Sequence, residues 1–254
     1  MKIQYMSDLH YEIGGNRLDI EPLGDVLVLA GDIDKGTKTL EHANYYAKDF
    51  DAVIVIAGNH EFYRNEYKST LQKLREFKTK DNVFFLENSY VIINGVYFYG
   101  ATMWTDLSDI ADANIAEYYM NDYHIIEYRN KGIYRTLRAK DTTKIHLDSV
   151  NKLQEFLVNV KEESNVVVVT HQLPHPASVN KMYKNSALNA AYMTNIVGKL
   201  DASGIKLPQV WIHGHTHLNV ETIVEQNMKL LCNPYGYHGH DINLEFNPLS
   251  TVDI

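Results

Sequence analysis

Several short apolar runs punctuate the chain, and each stops abruptly at polar residues. They are KIQYM (2–6), DVLVLAG (25–31), DAVIVIAGN (51–59), NVVVVTH (165–171) and QVWIHG (209–214). Nearly continuous runs rich in Val and Ile predict strands covered on both faces. VIINGVYFYG (91–100) places Asn-Gly between two β-rich arms, which predicts a hairpin. NVETIVE (219–225) and MKLLCN (228–233) predict two further strands in a meander-like pair. Between the strands, Tyr67, Leu71, Leu74 and Phe77 recur at helical spacing. So do Ile145, Val150, Leu153, Phe156, Leu157 and Val160 within 144–162. Strands alternating with helices predict βαβ units in an α/β fold. No repeat, low-complexity run or linker divides residues 1–254, so a single domain is expected.

Residues 104–143 break the pattern. They hold Tyr118, Tyr119, Tyr123, Tyr128 and Tyr134, with Arg129, Lys131, Arg135, Arg138 and Lys140. One reading is a solvated helical insertion with a satellite core. The other is a cap whose cations and rings touch a phosphorylated substrate.

The polar residues that end the strands carry the chemistry. KIQYM runs into Asp8 and His10, VLVLAG into Asp32, and AVIVIAG into Asn59, His60 and Glu61. VVVVT runs into His171, and QVWI into His213, His215 and His217. Ligands in open α/β sheets gather at the carboxyl ends of strands. Asp8 and His10, two apart, would face one side of an extended segment, as would His215 and His217. Glycines before Asp32, Asn59 and His215 permit unusual backbone angles there. Carboxylates beside apolar strands need a compensating charge, which a divalent cation supplies. Asp8, His10, Asp32, Asn59, His171, His215 and His217 are too many for one tetrahedral ion, but two ions sharing Asp32 can use them all. Two metals about 3.5–4 Å apart suit in-line displacement at phosphorus. Mixed imidazole, carboxylate and amide donors point to Mn, Fe, Co, Ni or Zn, with Mn favoured.

Composition narrows the partners. The formal charge is −8, which disfavours a broad nucleic-acid surface and leaves a small phosphorylated substrate or a short nucleic acid. The lone Cys232 excludes an intrachain disulfide and reads as a buried small hydrophobe. The opening MKIQYMSDLH lacks the apolar run of a signal peptide, and no stretch is long enough to span a bilayer. A cytoplasmic protein with no membrane contact is expected.

The ordered set DLH, GD, GNHE, a single His after a strand, and GHTH, spanning residues 8–217, resembles the calcineurin-like metallophosphoesterase superfamily. GATMWTDL, MNDY, LNAAY, WIHGHTH and CNPYGY are similar to its small bacterial and phage single-domain members. The resemblance implies a four-layer α/β/β/α sandwich of two mixed sheets. It implies that Asp8, His10 and His217 hold one metal, that Asn59, His171 and His215 hold the other, and that Asp32 bridges. His60 would stabilise the transition state or protonate the leaving oxygen, with a metal-activated hydroxide as nucleophile. The chain departs from the group at three points. Gln172 follows His171 where a second His is usual, and His124 and Tyr235 stand where the group has Arg. Neither replaces an arginine's bidentate grip on phosphate.

The expected activity is hydrolysis of a small phosphodiester or nucleotide. A phosphomonoesterase or protein phosphatase, a metal-binding scaffold without catalysis, and a protein whose ions only stabilise the fold are the alternatives. His213 reads as a support for a metal ligand, and His124 and Tyr235 as supporting or substrate-facing residues. Asp34 reads as a turn residue, His175 as loop surface, and His42, His146, His238 and His240 as structural or exposed, although the YGYHGH tail could fold near the site.

Overall fold

An apolar run covered on both faces must lie between layers, and the computed structural model, which describes residues 1–130 and 132–254, shows them. In chain order the strands are β1 (Lys2–Met6), β2 (Val26–Ala30), β3 (Ala52–Ile56), β4 (Val83–Phe85), β5 (Ser89–Ile93), β6 (Val96–Ala101), β7 (Glu127–Asn130) and β8 (Ile133–Thr136). They continue as β9 (Asn165–Thr170), β10 (Val210–His213), β11 (Val220–Ile223), β12 (Lys229–Cys232), β13 (Gly236–Tyr237), β14 (Asp241–Ile242) and β15 (Thr251–Asp253). The helices are α1 (Lys38–Tyr46), α2 (Tyr67–Glu76), α3 (Ile110–Tyr119), α4 (Asp122–Ile125), α5 (Ala139–Asn159), α6 (Asn189–Tyr192) and α7 (Ile196–Ala202).

Two large mixed sheets form, in the orders β15-β1-β2-β3-β4 and β11-β12-β10-β9-β6-β5. The inner strands run parallel, and β15, β5 and β11 add antiparallel edges. Val26, Val28 and Ala30 alternate with Leu27 and Leu29 along β2, so one strand serves two cores. The first set meets Val167, Val169 and Ile212 of the second sheet. The second set meets Leu40 and Tyr46 of α1 and Leu74 of α2. On the far side, Val168, Trp211 and Leu230 pack against Leu153 and Phe156 of α5 and Val197 of α7. The layers are therefore α/β/β/α. Each fully buried Val or Leu contributes about 1.5–3 kcal/mol, so the central alternation dominates stability.

Asn94 and Gly95, at φ 49° and 83°, make the tight turn between β5 and β6. Helix α5 begins earlier than its apolar spacing predicts. The Asp141 carboxylate accepts the Arg138 N–H (3.1 Å) and two guanidinium bonds from Arg135 (2.6 and 2.8 Å), which starts the helix at Ala139. Residues 104–143 do not carry a satellite core. Trp104, Leu107, Ala116, Tyr123, Ile126, Tyr128 and Leu137 join the cluster that holds Leu27 and Leu40. No described helix is long and apolar enough to cross a membrane.

The carboxyl ends of β1, β2, β3, β9 and β10 meet at one edge of the sandwich. The residues after β12 close over them, because Tyr235 N–H donates to Ser7 O (3.0 Å) and Gly236 N–H to Asp8 O (2.9 Å).

Candidate functional site

Five polar residues at this edge have left-handed backbones: Asp8 (φ 54°), His10 (47°), Asp32 (55°), His215 (71°) and His217 (51°). The extended geometry expected for the Asp8/His10 and His215/His217 pairs is absent. The chain coils after β1 and again after β10. Such angles cost an L-residue about 1–3 kcal/mol each and persist only where surroundings enforce them. Backbone bonds do so here. Asp8 N–H donates to Gly31 O and His10 N–H to Asp32 O, both at 3.0 Å. His60 N–H donates to Asp32 Oδ1 (2.8 Å), and His215 N–H donates to both Asp8 oxygens (3.1 Å).

Of the three glycines that precede these residues, only Gly31 needs a positive φ, at 87°. Gly58 and Gly214 are required by close approach instead. A Cβ on Gly58 would collide with Asp32 Oδ1 and lie 2.7 Å from His171 Nε2. Gly58→Ala is expected to destabilise the protein by about 1–3 kcal/mol, read as a lower thermal midpoint. An unchanged midpoint would show that the loop yields freely.

The side chains fall into three adjoining groups, one joining His10 to Glu12 and His60 and two matching the expected ligand sets. Ligand atoms of Asp8, His10 and His217 lie within 4.8 Å of one another, as do those of Asp32, His171 and His215. Asp32 Oδ2 is 3.1 Å from His171 Nε2 and 3.8 Å from His10 Nε2, so it sits between them. Asn59 Oδ1 is 3.1 Å from His171 Nε2, and its amide nitrogen donates to Tyr63 OH (3.2 Å), which turns the oxygen inward.

The donor set suits divalent cations. His10 Nδ1 donates to Glu12 (3.0 Å) and His171 Nδ1 donates to Ala30 O (2.9 Å), so both direct Nε2 at the cluster. The Nε2 atoms of His10 and His217 face each other at 3.1 Å, and the buried His215 Nε2 has no hydrogen-bond partner. Burial opposes charge on His171, but Asp32 and Asp8 outweigh it and raise its pKa to about 10. Burial and the neighbouring His171 lower His215 to about 3. Two carboxylates with no solvent exposure to speak of thus demand positive charge from whatever lies between them.

The sequence profile of calcineurin-like phosphoesterases matches residues 1–219. The chain belongs to that family. An uncharacterized protein of Acanthamoeba polyphaga mimivirus is 26% identical over 99% of this chain and 96% of its own length. The fold is similar to a phosphopantetheinyl hydrolase from Mycobacterium tuberculosis, with a TM-score of 0.70 and 16% identity over 93% of this chain and 89% of that one. It is also similar to a dimetal phosphatase from Danio rerio, with a TM-score of 0.51 and 12% identity over 91% and 86% of the two chains. Calcineurin-like phosphoesterases are metal-dependent hydrolases of phosphoesters, and the two clusters accord with a dinuclear divalent centre.

Around these clusters the phosphoesterase uses residues that sequence reasoning passed over. Glu12 Oε1 accepts from Nδ1 of His10 (3.0 Å) and of His60 (2.7 Å), tying the two rings together. Burial opposes the Glu12 charge, but both imidazoles hold its pKa down to about 2. Burial likewise opposes a charge on His60, but Asp32 and Glu12 raise its pKa. Tyr63 stacks on the His60 ring at 3.9 Å, and Tyr237 OH lies 3.2 Å from His60 Nε2. Glu61 accepts the backbone N–H groups of Asp32, Ile33 and Gly58 at 3.1, 2.9 and 2.7 Å, fastening two loops. Burial and the Asp32 charge raise its pKa to about 8. GNHE held the only advance signal of that role. Glu12 had none, because a carboxylate two residues after a histidine is common.

A cavity of about 410 Å³ opens over the phosphoesterase centre, and Asp32, Asn59, His60, His215 and His217 reach its wall. His124 and Tyr235 do not line it. His124 is exposed and bonded to Tyr118 O (3.1 Å), and Tyr235 packs edge-on against Phe246. His213 is also spent elsewhere: Nδ1 donates to Gly214 O (2.9 Å) and Nε2 accepts from Ser178 Oγ (2.8 Å). Burial lowers its pKa to about 4. Arg129, Arg135, Arg138 and Lys140 stay off the cavity wall, and Lys131 lies outside the described residues. Asp34 bonds His42 (3.0 Å), and His175 bonds Glu225 (3.1 Å). The tail supplies Tyr237 and Asp241 to the cavity, and Cys232 is buried.

Proposed function

We propose that this phosphoesterase cleaves a small phosphodiester or nucleotide using two divalent cations, with manganese favoured. The observation that carries the reading is Asp32, whose carboxylate adjoins both ligand groups at 3.1 Å from His171 and 3.8 Å from His10. Asp8, His10 and His217 would hold one cation, and Asn59, His171 and His215 the other, with Asp32 shared. When bound, such a pair supplies charge neutralisation at phosphorus and a water of lowered pKa.

The chain's own groups do the rest. His60 stands on the cavity wall with Nδ1 fixed by Glu12, which leaves Nε2 for the substrate. It would hydrogen-bond a phosphoryl oxygen or pass a proton to the leaving oxygen. Tyr237, 3.2 Å from the same nitrogen, would keep the ring aimed until substrate arrives. The cavity volume of about 410 Å³ favours a small substrate, and the net charge of −8 opposes a long polyanion.

The test is turnover of bis(p-nitrophenyl) phosphate by protein stripped with chelator and reloaded. Rates are expected to vanish on stripping and return with manganese. Absence of turnover on any phosphoester by metal-replete protein would support the scaffold reading instead.

A further inference from the structure

Resting on the phosphoesterase reading, we infer that the site selects a singly charged phosphodiester whose retained arm, the one that does not depart, is flat and ring-bearing, and discriminates against monoesters and against any second phosphate. Two features of the cavity carry this.

The first is charge. Among the described residues no Lys or Arg lines the cavity, and beyond the histidines and the carboxylates Asp32 and Asp241 its polar wall is made of neutral side chains such as Asn121, Asn180 and Asn189. Asp241 sits on the wall with its side chain 72% exposed, 3.6 Å from His217 Nδ1. A phosphomonoester or a nucleoside diphosphate brings additional negative charge that amides and hydroxyls do not neutralise as a guanidinium or ammonium would. Asp241 makes that excess worse. A diester carries one charge, which the metal centre meets.

The second is aromatic surface. Five tyrosines line the cavity, and they divide by exposure. Tyr63 stacks on His60, Tyr192 lies against His215, and Tyr237 lies against His10 and His217, so the inner three brace imidazoles. Tyr119 and Tyr183 are different. They are 64% and 52% exposed, they come from separate segments, and no described ring stacks on Tyr183. Two exposed rings on the wall of a cavity of about 410 Å³, Tyr119 with only an edge-on neighbour in Tyr118, each offer a face on which a planar group can stack, and the volume is well beyond what a phosphoryl group fills.

Three chromogenic substrates with one leaving group separate the features: p-nitrophenyl phenyl phosphate, p-nitrophenyl methyl phosphate and p-nitrophenyl phosphate. With the manganese-loaded full chain, kcat/KM is expected to be about tenfold higher for the phenyl than for the methyl diester, the size of one stacking contact. The monoester should be the poorest of the three. In a Tyr119→Ala/Tyr183→Ala variant that retains wild-type metal content, the phenyl-to-methyl ratio should fall at least about fivefold. A ratio near one in the wild type, a ratio untouched in the variant, or a preferred monoester overturns the inference while leaving the phosphoesterase reading intact. Failure to cleave any of the three overturns both.

Discussion

Asp32→Asn is expected to strip the centre of metal and reduce kcat by about a thousandfold or more. The asparagine oxygen can still accept the His60 N–H now bonded to Oδ1 at 2.8 Å, so the loop should keep its shape. What disappears is charge. Asp32 is the largest influence raising the His171 pKa, and it adjoins donors from both groups. Metal stabilisation of a phosphoryl transition state is worth several kcal/mol, and each 1.36 kcal/mol is about tenfold in rate. Metal content by elemental analysis, alongside a circular dichroism spectrum, checks this. A folded variant that still holds two equivalents of metal would refute the bridging role.

His60→Ala should behave in the opposite way. Activity is expected to drop by about 10²–10⁴-fold while both metals remain, because this ring touches the cavity and, although it groups with His10 and Glu12, its Nδ1 is taken by Glu12 at 2.7 Å and it lies outside the sets Asp8, His10, His217 and Asp32, His171, His215. His60 does share Glu12 Oε1 with His10, so the removal leaves that oxygen to His10 alone. The His10–Glu12 bond at 3.0 Å survives and keeps His10 in place. If His60 protonates the leaving oxygen, the loss should be steep for alkyl leaving groups and slight for p-nitrophenolate. Equal losses across leaving groups would confine His60 to stabilising the phosphoryl oxygens, and metal loss alongside activity would contradict a purely catalytic role.

Much of the candidate centre was legible in sequence because most of the candidate ligands closely follow an apolar run. A strand fixes where its last residue emerges, so Asp8, Asp32, Asn59, His171 and His215 could be placed on one edge without knowing any contact. Backbone conformation was not legible at that level. Spacing by two suggested extended pairs at Asp8/His10 and His215/His217, whereas the left-handed angles depend on bonds to Gly31, Asp32 and Asp8 from other segments. The same limit hid Glu12, which reaches His10 and His60 by tertiary packing, and Tyr183 on the cavity wall, whereas Tyr119 belonged to the cap considered over 104–143 and Tyr237 to the tail that could fold near the site. His124 and Tyr235 lie off the cavity wall, while their sequence neighbours Asn121 and Tyr237 stand on it. Among the elements, β4, α7 and β15 are too short for a period to show; α5 was visible, but the start set by Asp141 was not.

The pairing of β1 with β15 has a consequence for when the enzyme becomes active. Lys2 is in register with Asp253, and Ser7 and Asp8 receive their backbone partners from Tyr235 and Gly236. The first ligand strand is thus locked by residues translated more than two hundred positions later. Contacts of such sequence separation form late, since loop-closure entropy must be overcome before they stabilise anything. β1, β2 and β3 can pair as a parallel unit from nearby sequence, with Asp8 held by Gly31, whereas the bonds from His215 and Gly236 that complete its surroundings wait on segments some two hundred positions away, so the candidate centre closes among the later events of folding.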